Sequence, residues 1–165
     1  MDILFRGFHE CDGPTTIVVD GRMAKGEWVN GYPVGWQNEK GDISIVDSRF
    51  GACIDESGNL IMLEAPFVAK VIPSTVGQFC GKQDKNGRKI FKGDRAKTLA
   101  GVVGEVKMGA YVDRHVDDDF GPTDIYYEGF GWHIDTGELF GCIGLDDFAD
   151  QWCEVIGTVW DEVEK

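Results

Sequence analysis

The chain has 165 residues, of which 42% are hydrophobic and 27% are charged, and its formal net charge is −13. This length suits one domain that buries enough apolar surface to fold without staples, and the composition excludes wholesale disorder. No apolar run approaches the roughly 20 residues needed to cross a membrane, and residues 1–6 lack the features of a signal peptide. We therefore expect a protein of the cytoplasm that makes no membrane contact.

The charge is divided unevenly along the chain. Residues 82–97, which we call the basic segment, carry seven basic and two acidic side chains and so have a net charge of +5. Residues 1–81 have a net charge of −5, and residues 98–165 have one of −13. Because so negative a molecule repels phosphate backbones, nucleic acid is disfavoured as a partner outside the basic segment. The cations of this segment are Lys82, Lys85, Arg88, Lys89, Lys92, Arg95 and Lys97.

The cysteines are odd in number, and no two of them stand in a C-x-x-C arrangement. Disulfide staples and a structural zinc site are therefore both poorly supported. We expect buried free thiols in a reducing compartment. The five positions are Cys11, Cys53, Cys80, Cys142 and Cys153.

Apolar and polar residues alternate over most of the chain, and turn residues recur roughly every 8–12 positions, which is typical of all-β proteins. Residues 52–62, 83–91 and 132–140 each have a hairpin pattern closed by an Asp and a Gly. In the second of these, Asn86 and Gly87 predict a two-residue turn of type I′, in which both residues have a positive φ.

The C-terminal half predicts a small barrel. Over residues 93–108 a strand leaves a Gly-Asp turn, a Gly-rich bend follows, and a Val-alternating strand returns. Residues 112–123, rich in Asp with a Gly-Pro pair, are interpreted as an exposed loop. A short helical turn is predicted over residues 144–150, and a last strand over 152–160 contains Gly157 as a bulge or corner.

Three parts of the chain resemble one known family. Residues 3–7 (ILFRG) and 25–32 (KGEWVNGY) resemble its opening, in which an aromatic-Arg strand pairs with a G-x-W-V-x-G-Y strand. Residues 71–79 (VIPSTVGQF) and 84–94 (DKNGRKIFKGD) resemble its core, and residues 154–161 (EVIGTVWD) resemble its closing strand. The chain is similar in these features to the YopX family of phage and prophage proteins.

The resemblance implies one YopX-like domain over residues 1–165. Residues 1–74 would form an N-terminal β part with an insertion near 8–24. Residues 75–165 would form a hairpin and a small Src-homology-3-like barrel, so the expected fold is mainly β, with antiparallel hairpins and little helix. The resemblance also implies a phage or prophage origin, the cytoplasm of a bacterial host and frequent self-association, and it implies no catalytic residues.

On a hairpin, several cations of the basic segment would line a positive ribbon beside Phe79 and Phe91. Such a ribbon suits a phosphate, a nucleic-acid strand or the acidic face of a protein. Three explanations stay open: neutralisation of residues 98–165 in the same molecule, binding of a second copy or another acidic protein, and binding of nucleic acid. The predicted partner-binding residues are Phe79, Lys85, Arg88, Lys89, Lys92 and Trp132, the last as an aromatic that could line a groove.

The sequence offers no catalytic constellation. The three histidines are far apart, and no G-x-S-x-G pattern is present, so acyl-transfer chemistry has no support. The densest set of hard-metal ligands lies on the predicted loop, where solvated charge is the more common explanation. We therefore predict a protein that is not an enzyme, with no cofactor and no metal site. That set is Asp113, His115, Asp117, Asp118 and Asp119.

The leading hypothesis is a non-enzymatic interaction module that binds itself, a host or phage protein, or both. One alternative is an acidic decoy that mimics DNA and occupies a host nucleic-acid-binding protein. Another is a divalent-metal-dependent enzyme that uses the Asp113–Asp119 loop.

Overall fold

The computed structural model describes residues 4–34, 41–47, 53–54, 60–61, 68–117, 121–137 and 141–161. Most of these residues lie in antiparallel strands, so the prediction of a mainly β fold with little helix is confirmed. Within these ranges the α-helix α1 has four residues, and no helix is long and apolar enough to cross a membrane. The strands are β1 Phe5–Val19, β2 Arg22–Val34, β3 Ile43–Asp47, β4 Cys53–Ile54, β5 Leu60–Ile61, β6 Val68–Val71, β7 Gly77–Gln83, β8 Lys89–Phe91, β9 Asp94–Thr98, β10 Val103–Asp117, β11 Gly121–Asp135, β12 Cys142–Gly144 and β13 Cys153–Thr158; a 3-10 turn covers Pro73–Thr75 and α1 covers Ala149–Trp152.

The chain divides into two compact units. The first unit is Met1–Gln78 with Trp160–Lys165, and the second is Phe79–Val159. In the first unit the strand order is β6-β3-β2-β1, and Gly77 and Gln78 at the start of β7 pair with β1. In the second unit the order is β12-β11-β10-β9-β13, and the rest of β7 pairs with β8.

The opening strands of the first unit pair as the family resemblance implied. Phe5 lies opposite Gly31, and Phe8 lies opposite Trp28. The two strands continue through residues 8–24, the region expected to be an insertion, to a two-residue turn. Asp20 and Gly21 form this turn with φ values of 49° and 76°, which are the positive values that a type I′ turn needs.

Among its described residues, the first unit buries two apolar clusters, because alternate residues of a strand point to the same face. One cluster contains Phe8, Ile17, Val19 and Ala24, with Trp28, Ile72 and Trp160 packed against it. The other contains Val29, Ile45, Ala69 and Val71, with Phe5, Ile43 and Val76 packed against it.

The second unit has one core on one face of its sheet. Alternating residues of β9, β10, β11 and β13 supply it, and α1 and the β7–β8 hairpin add to it. In the part of the chain that the structure describes, the sheet order ends at β12 and β13, which do not pair, so the predicted closed barrel is not confirmed. The buried members are Cys80, Ile90, Ala96, Val106, Ile134, Leu145, Ala149, Cys153 and Val155.

The predicted type I′ turn at Asn86 and Gly87 is wrong. Gly87 has a φ of 77°, but Asn86 does not have a positive φ. The Gly87 N–H donates to Asp84 O at 2.9 Å, and the Asp84 N–H donates to Arg88 O at 2.8 Å. This is a type I turn over residues 84–87 that ends on a left-handed Gly, and Asp at its first position and Gly at its fourth favour it.

The predicted loop over residues 112–123 is also wrong. β10 continues to Asp117 and β11 begins at Gly121, and these two residues pair with each other. The ladder between two long strands outweighs the local turn composition. Residues 118–120, which connect the two strands, lie outside the described residues.

The other predicted elements are largely confirmed. Residues 53–54 pair with 60–61 as the first hairpin requires. In the third hairpin the return strand is β12 instead of residues 138–140, which lie outside the described ranges. The last strand shifts register between Val155 and Gly157, so the bulge at Gly157 is confirmed.

Candidate partner-binding surface

A buried carboxylate fixes the turn of the β7–β8 hairpin. Asp84 is 1% exposed, and its Oδ1 accepts the N–H groups of Asn86 and Arg88 at 2.9 Å each. Its Oδ2 accepts the N–H of Val155 at 2.8 Å, and the Lys85 N–H donates to Cys153 O at 2.9 Å. The turn is therefore bound to the outer edge of β13. These hydrogen bonds fix the backbone from which the neighbouring cationic side chains extend.

Two phenylalanines lie side by side on this hairpin, of which Phe79 is half-buried and Phe91 is buried. Phe79 is the ladder partner of Phe91, and their ring centroids are 5.6 Å apart. Lys89 is exposed and lies two residues from Phe91 on the same strand, so both side chains leave β8 on the side opposite to Ile90, which belongs to the core of the second unit. The Lys89 Nζ lies 5.6 Å from the centroid of Phe79, within the range of a cation–π contact.

Two lysines of the basic segment are bound to carboxylates of the acidic C-terminal part. Lys85 Nζ lies 2.6 Å from Glu154 Oε2, and Lys82 Nζ lies 2.7 Å from Asp147 Oδ1. The hydrogen bond from Lys82 lowers the pKa of Asp147 below its usual value. Neutralisation within the molecule, one of the three explanations left open by the sequence, therefore applies to these two lysines.

The remaining cations of the segment form no ion pair with any residue that the structure describes. Arg95 lies opposite Glu105 in the β9–β10 ladder, and Lys97 lies opposite Glu154 in the β9–β13 ladder, so both stand beside carboxylates. The other three are exposed and lie on the β7–β8 hairpin or directly after it. We call Arg88, Lys89 and Lys92, together with the half-buried Phe79, the cationic ribbon.

Trp132 lies on β11, whereas the cationic ribbon lies on the β7–β8 hairpin or directly after it. It is half-buried and packs against the core of the second unit. Its backbone carbonyl accepts the N–H of Leu145 at 2.9 Å. The structure thus brings five of the six predicted partner-binding residues together on the β7–β8 hairpin or directly after it, and it places Trp132 on β11.

The β10–β11 hairpin carries an exposed apolar surface that was not predicted from the sequence. Ala110 lies opposite Phe130 and Val112 lies opposite Glu128, so these side chains share the face of Met108. Phe130 is 78% exposed, Met108 46% and Val112 42%. The alternation of apolar residues from 106 to 112 was a readable signal, but the loop interpretation from residue 112 onward concealed it. We call Met108, Ala110, Val112 and Phe130 the hairpin face.

The opposite face of the same hairpin carries His133 and Asp135, and Cys142 of β12 lies opposite Asp135. His133 donates its Nδ1–H to Gly131 O at 3.1 Å and stacks on Tyr111 with centroids 4.8 Å apart. Burial, and then the charge of Asp135, raise the pKa of the Cys142 thiol. A thiol that stays protonated is a poor nucleophile, so this set does not support cysteine chemistry.

No group of three metal-ligating side chains occurs among the residues whose positions are described. Of the Asp113–Asp119 set, only the side chain of Asp113 falls within that description. Four cysteines are described, and all are free thiols. Cys80 and Cys153 are buried as expected, whereas Cys11 is exposed, so the prediction of burial is wrong there.

A groove of about 310 Å³ lies in the first unit, with charged side chains around an apolar floor. Its Arg22 donates two hydrogen bonds to Glu10, at 2.6 and 2.7 Å. Its Lys70 lies 2.9 Å from Asp42, and His9 donates Nδ1–H to Lys70 O at 2.8 Å. Because both cations of the groove already have carboxylate partners, the cationic ribbon is the stronger candidate for binding an acidic group.

Comparison with known proteins gives one match. The family model described as YopX protein matches residues 34–165, which is most of the chain. The opening residues that resemble this family, 3–7 and 25–32, precede the matched region. Neither the curated proteins nor the solved structures contain a significant match to the chain. The chain belongs to the YopX protein family.

Proposed function

We propose that this protein is a non-enzymatic interaction module of phage or prophage origin. It works in the cytoplasm of the bacterial host, self-associates and binds an acidic segment of a host or phage protein through the cationic ribbon. The observation that carries this proposal is the set of three exposed cations that stay without ion-pair partners among the described residues, in a chain of net charge −13. Although the chain has many carboxylates, none of the described ones forms an ion pair with these cations. The cations are therefore available to another molecule.

The neighbouring lysines indicate the chemistry of the partner. Lys82 and Lys85 already bind carboxylates at 2.7 and 2.6 Å, so lysines of this segment pair with acidic side chains within the same chain. A single exposed ion pair contributes only about 0–1 kcal/mol. Binding therefore needs several carboxylates in one segment, together with apolar contact on the half-buried ring of Phe79.

The alternatives have less support from the geometry. A DNA mimic needs free carboxylates in stripes, but Lys107 lies 2.7 Å from Asp135 and 3.5 Å from Glu105. Asp147 and Glu154 are likewise paired with lysines. For the metal-dependent alternative, titration calorimetry with Mn²⁺ is the direct check, and heat with a raised melting temperature would favour it over our proposal.

The proposal is tested with a defined acidic probe. A fluorescent Glu-rich peptide is titrated by anisotropy against the intact protein and against Arg88→Glu/Lys89→Glu/Lys92→Glu, at low and physiological salt. We expect binding that weakens with salt and that the triple variant abolishes. The matched control, Arg22→Glu/Lys25→Glu/Lys70→Glu, has the same net charge but alters the first unit, and it should retain binding.

Two outcomes would contradict the proposal. Equal losses in the ribbon variant and in the control would mean that net charge alone governs the interaction. Tighter binding of a single-stranded oligonucleotide than of the acidic peptide would instead favour nucleic acid. Affinity capture from host cytosol with the same three proteins then identifies the natural partner.

A further inference from the structure

Trp160 fills a site in the first unit that is formed by residues far from it in sequence. Its backbone carbonyl accepts the Val18 N–H at 2.8 Å, and its ring centroid lies 5.6 Å from that of Trp28. The ring of Trp28 packs edge-on against Phe8 with centroids 5.2 Å apart, and the guanidinium carbon of Arg6 lies 4.6 Å from the Trp28 centroid. We call Phe8, Val18 and Trp28 the tryptophan slot.

The chain reaches this slot from the second unit. Residues 79–159 form that unit, and they separate Trp160 from residues 1–78 of the first unit. Val159 donates its N–H to Gly93 O at 3.0 Å within the second unit, and the next residue, Trp160, is already bonded within the first. The connection therefore contains no spare residue. The slot receives Trp160 as it would receive a residue of another chain, since no local part of the first unit supplies it.

We propose that the tryptophan slot of one copy takes Trp160 of a second copy, so that two copies exchange this residue reciprocally. This inference rests on the self-association in the proposed function, and it names the residue that is exchanged and the site that receives it. The occupant is defined by the structure, because the chain itself shows which residue fits the slot. The exchange involves neither the cationic ribbon nor the hairpin face, so the three surfaces can be altered independently.

The exchange keeps every contact of the slot. The hydrogen bond from Val18 and the ring contact with Trp28 are the same whether Trp160 comes from its own chain or from a second copy. The balance between closed monomer and exchanged dimer therefore depends on the connection and on the entropy lost in association. Exchange of an identical element is an accessible route to dimers, and short connections favour it.

The expected dimer is concentration-dependent and forms slowly. Each slot must release its own Trp160 before it takes another, and association that requires such a change is slower than the docking of preformed surfaces. The appropriate measurement is sedimentation velocity over a range of protein concentrations, repeated after increasing times of incubation. We expect the dimer fraction to rise with both concentration and time.

Two complementary variants test the exchange. Trp160→Ala keeps the slot but loses the ring that fills it. Val18→Pro keeps Trp160 but removes the N–H that holds its carbonyl, and because that N–H is bonded to Trp160, Pro is tolerated at this position of the strand. Each variant alone should associate about 30-fold or more weakly than the intact protein, as the loss of a central contact does. An equimolar mixture should form a heterodimer, in which the slot of one variant takes Trp160 of the other.

The matched control is Trp152→Ala. Trp152 is also a half-buried tryptophan, but it packs against the core of the second unit. This variant should dimerise as the intact protein does. Circular dichroism checks that every variant keeps its strand content.

A longer connection provides a second measurement that leaves both halves of the contact intact. Insertion of Gly-Gly-Ser between Val159 and Trp160 lets this residue reach the slot of its own chain more freely, so the equilibrium should shift toward monomer. The fluorescence of Trp160 should stay that of a filled slot. A dimer built on any other surface would not respond to this insertion.

The outcomes separate this inference from the broader proposal. Dimers that persist in Trp160→Ala and in the insertion variant would overturn the exchange and leave self-association intact. Dissociation by Phe130→Glu or by the triple ribbon variant alone would also overturn it and would move the contact to the altered surface. An intact protein that stays monomeric at every concentration would overturn both the exchange and the self-association in the proposed function.

Discussion

The two hairpins of the second unit are held in different ways and present different chemistry. In the β7–β8 hairpin, the buried carboxylate of Asp84 organises the turn, and the cations of the ribbon point outward. In the β10–β11 hairpin, the ring of Tyr111 lies over Gly129 and against His133, and the opposite face is apolar and exposed. The second unit can therefore present a charged and an apolar surface on hairpins of two different sheets, because each hairpin has its own internal support.

The largest expected effect is loss of the Asp84 carboxylate. Asp84→Ala leaves three backbone N–H groups without their acceptor, so we expect a loss of about 3–5 kcal/mol in the free energy of unfolding. Urea denaturation measures it. Asp147→Ala is the control, because that carboxylate is 94% exposed and its ion pair is worth no more than about 1 kcal/mol. Equal losses in the two variants would contradict the role given to Asp84.

The contact between Tyr111 and Gly129, which supports the β10–β11 hairpin, can be disrupted by a substitution at Gly129. An added Cβ there would lie 2.5 Å from Tyr111 Cζ, so the ring must move. We expect Gly129→Ala to cost about 1–3 kcal/mol, as overpacking does. In a Tyr111→Ala background the same change should cost little, and a double-mutant cycle measures the difference. If the two costs simply add, Tyr111 does not support the hairpin through Gly129.

Alkaline pH should lower the free energy of unfolding through a buried thiol of β13, the strand that Asp84 joins to the β7–β8 hairpin. Burial, and then the charge of Asp84, raise the pKa of the Cys153 thiol to about 12. The unfolded thiol ionises near pH ~8.5, so this stabilisation is complete below that pH and is lost as pH rises toward the folded pKa. We expect a fall of up to about 1.4 kcal/mol for each pH unit in that window.

Urea midpoints from pH 8 to 10.5 check this, and Cys153→Ala should flatten the slope while lowering stability at all pH values through a cavity. The exposed Cys11 is the control: Cys11→Ala should leave the slope unchanged. A slope that survives in Cys153→Ala would assign the pH dependence to other groups.

The smallest effect is expected from Lys89→Met, which tests the role of Lys89 in the cationic ribbon. Lys89→Met removes the cation over Phe79 while keeping most of the side-chain length, and exposed cation–π contacts contribute about 0.5–1 kcal/mol. Thermal unfolding should shift by a few degrees at most. The same variant should lower the affinity for the acidic peptide by more than it lowers the free energy of unfolding, because Lys89 is mainly a binding residue in our proposal. A larger effect on folding than on binding would reverse that assignment.

Local features were the most predictable from the sequence. The hairpin at residues 83–91 and the bulge at Gly157 depend on nearby residues, and the sequence indicates both. The short helix was predicted over residues 144–150, but it begins at Ala149 and ends at Trp152. The turn type at residues 84–87 was also a local signal, since Asp at the first position and Gly at the fourth favour type I. The Asp20-Gly21 turn was equally readable but fell inside a region interpreted as an insertion.

Long-range features were not predictable, because they depend on partners far apart in sequence. Lys85 and Glu154 are 69 residues apart, so only the fold decides which lysines of the basic segment find carboxylates. The β10–β11 ladder extends through Asp117 despite residues that are typical of loops. The exposure of Phe130 likewise depends on where the core of the second unit ends.

The C-terminal strand has a consequence for synthesis. β13 pairs with β9 and donates the Val155 N–H to Asp84, and Trp160 accepts the Val18 N–H at 2.8 Å in the first unit. Both units therefore wait for residues 153–160 before their hydrogen bonding is complete. A chain that ends before Cys153 would lack these hydrogen bonds in both units, so truncated products should be degraded by proteases instead of accumulating.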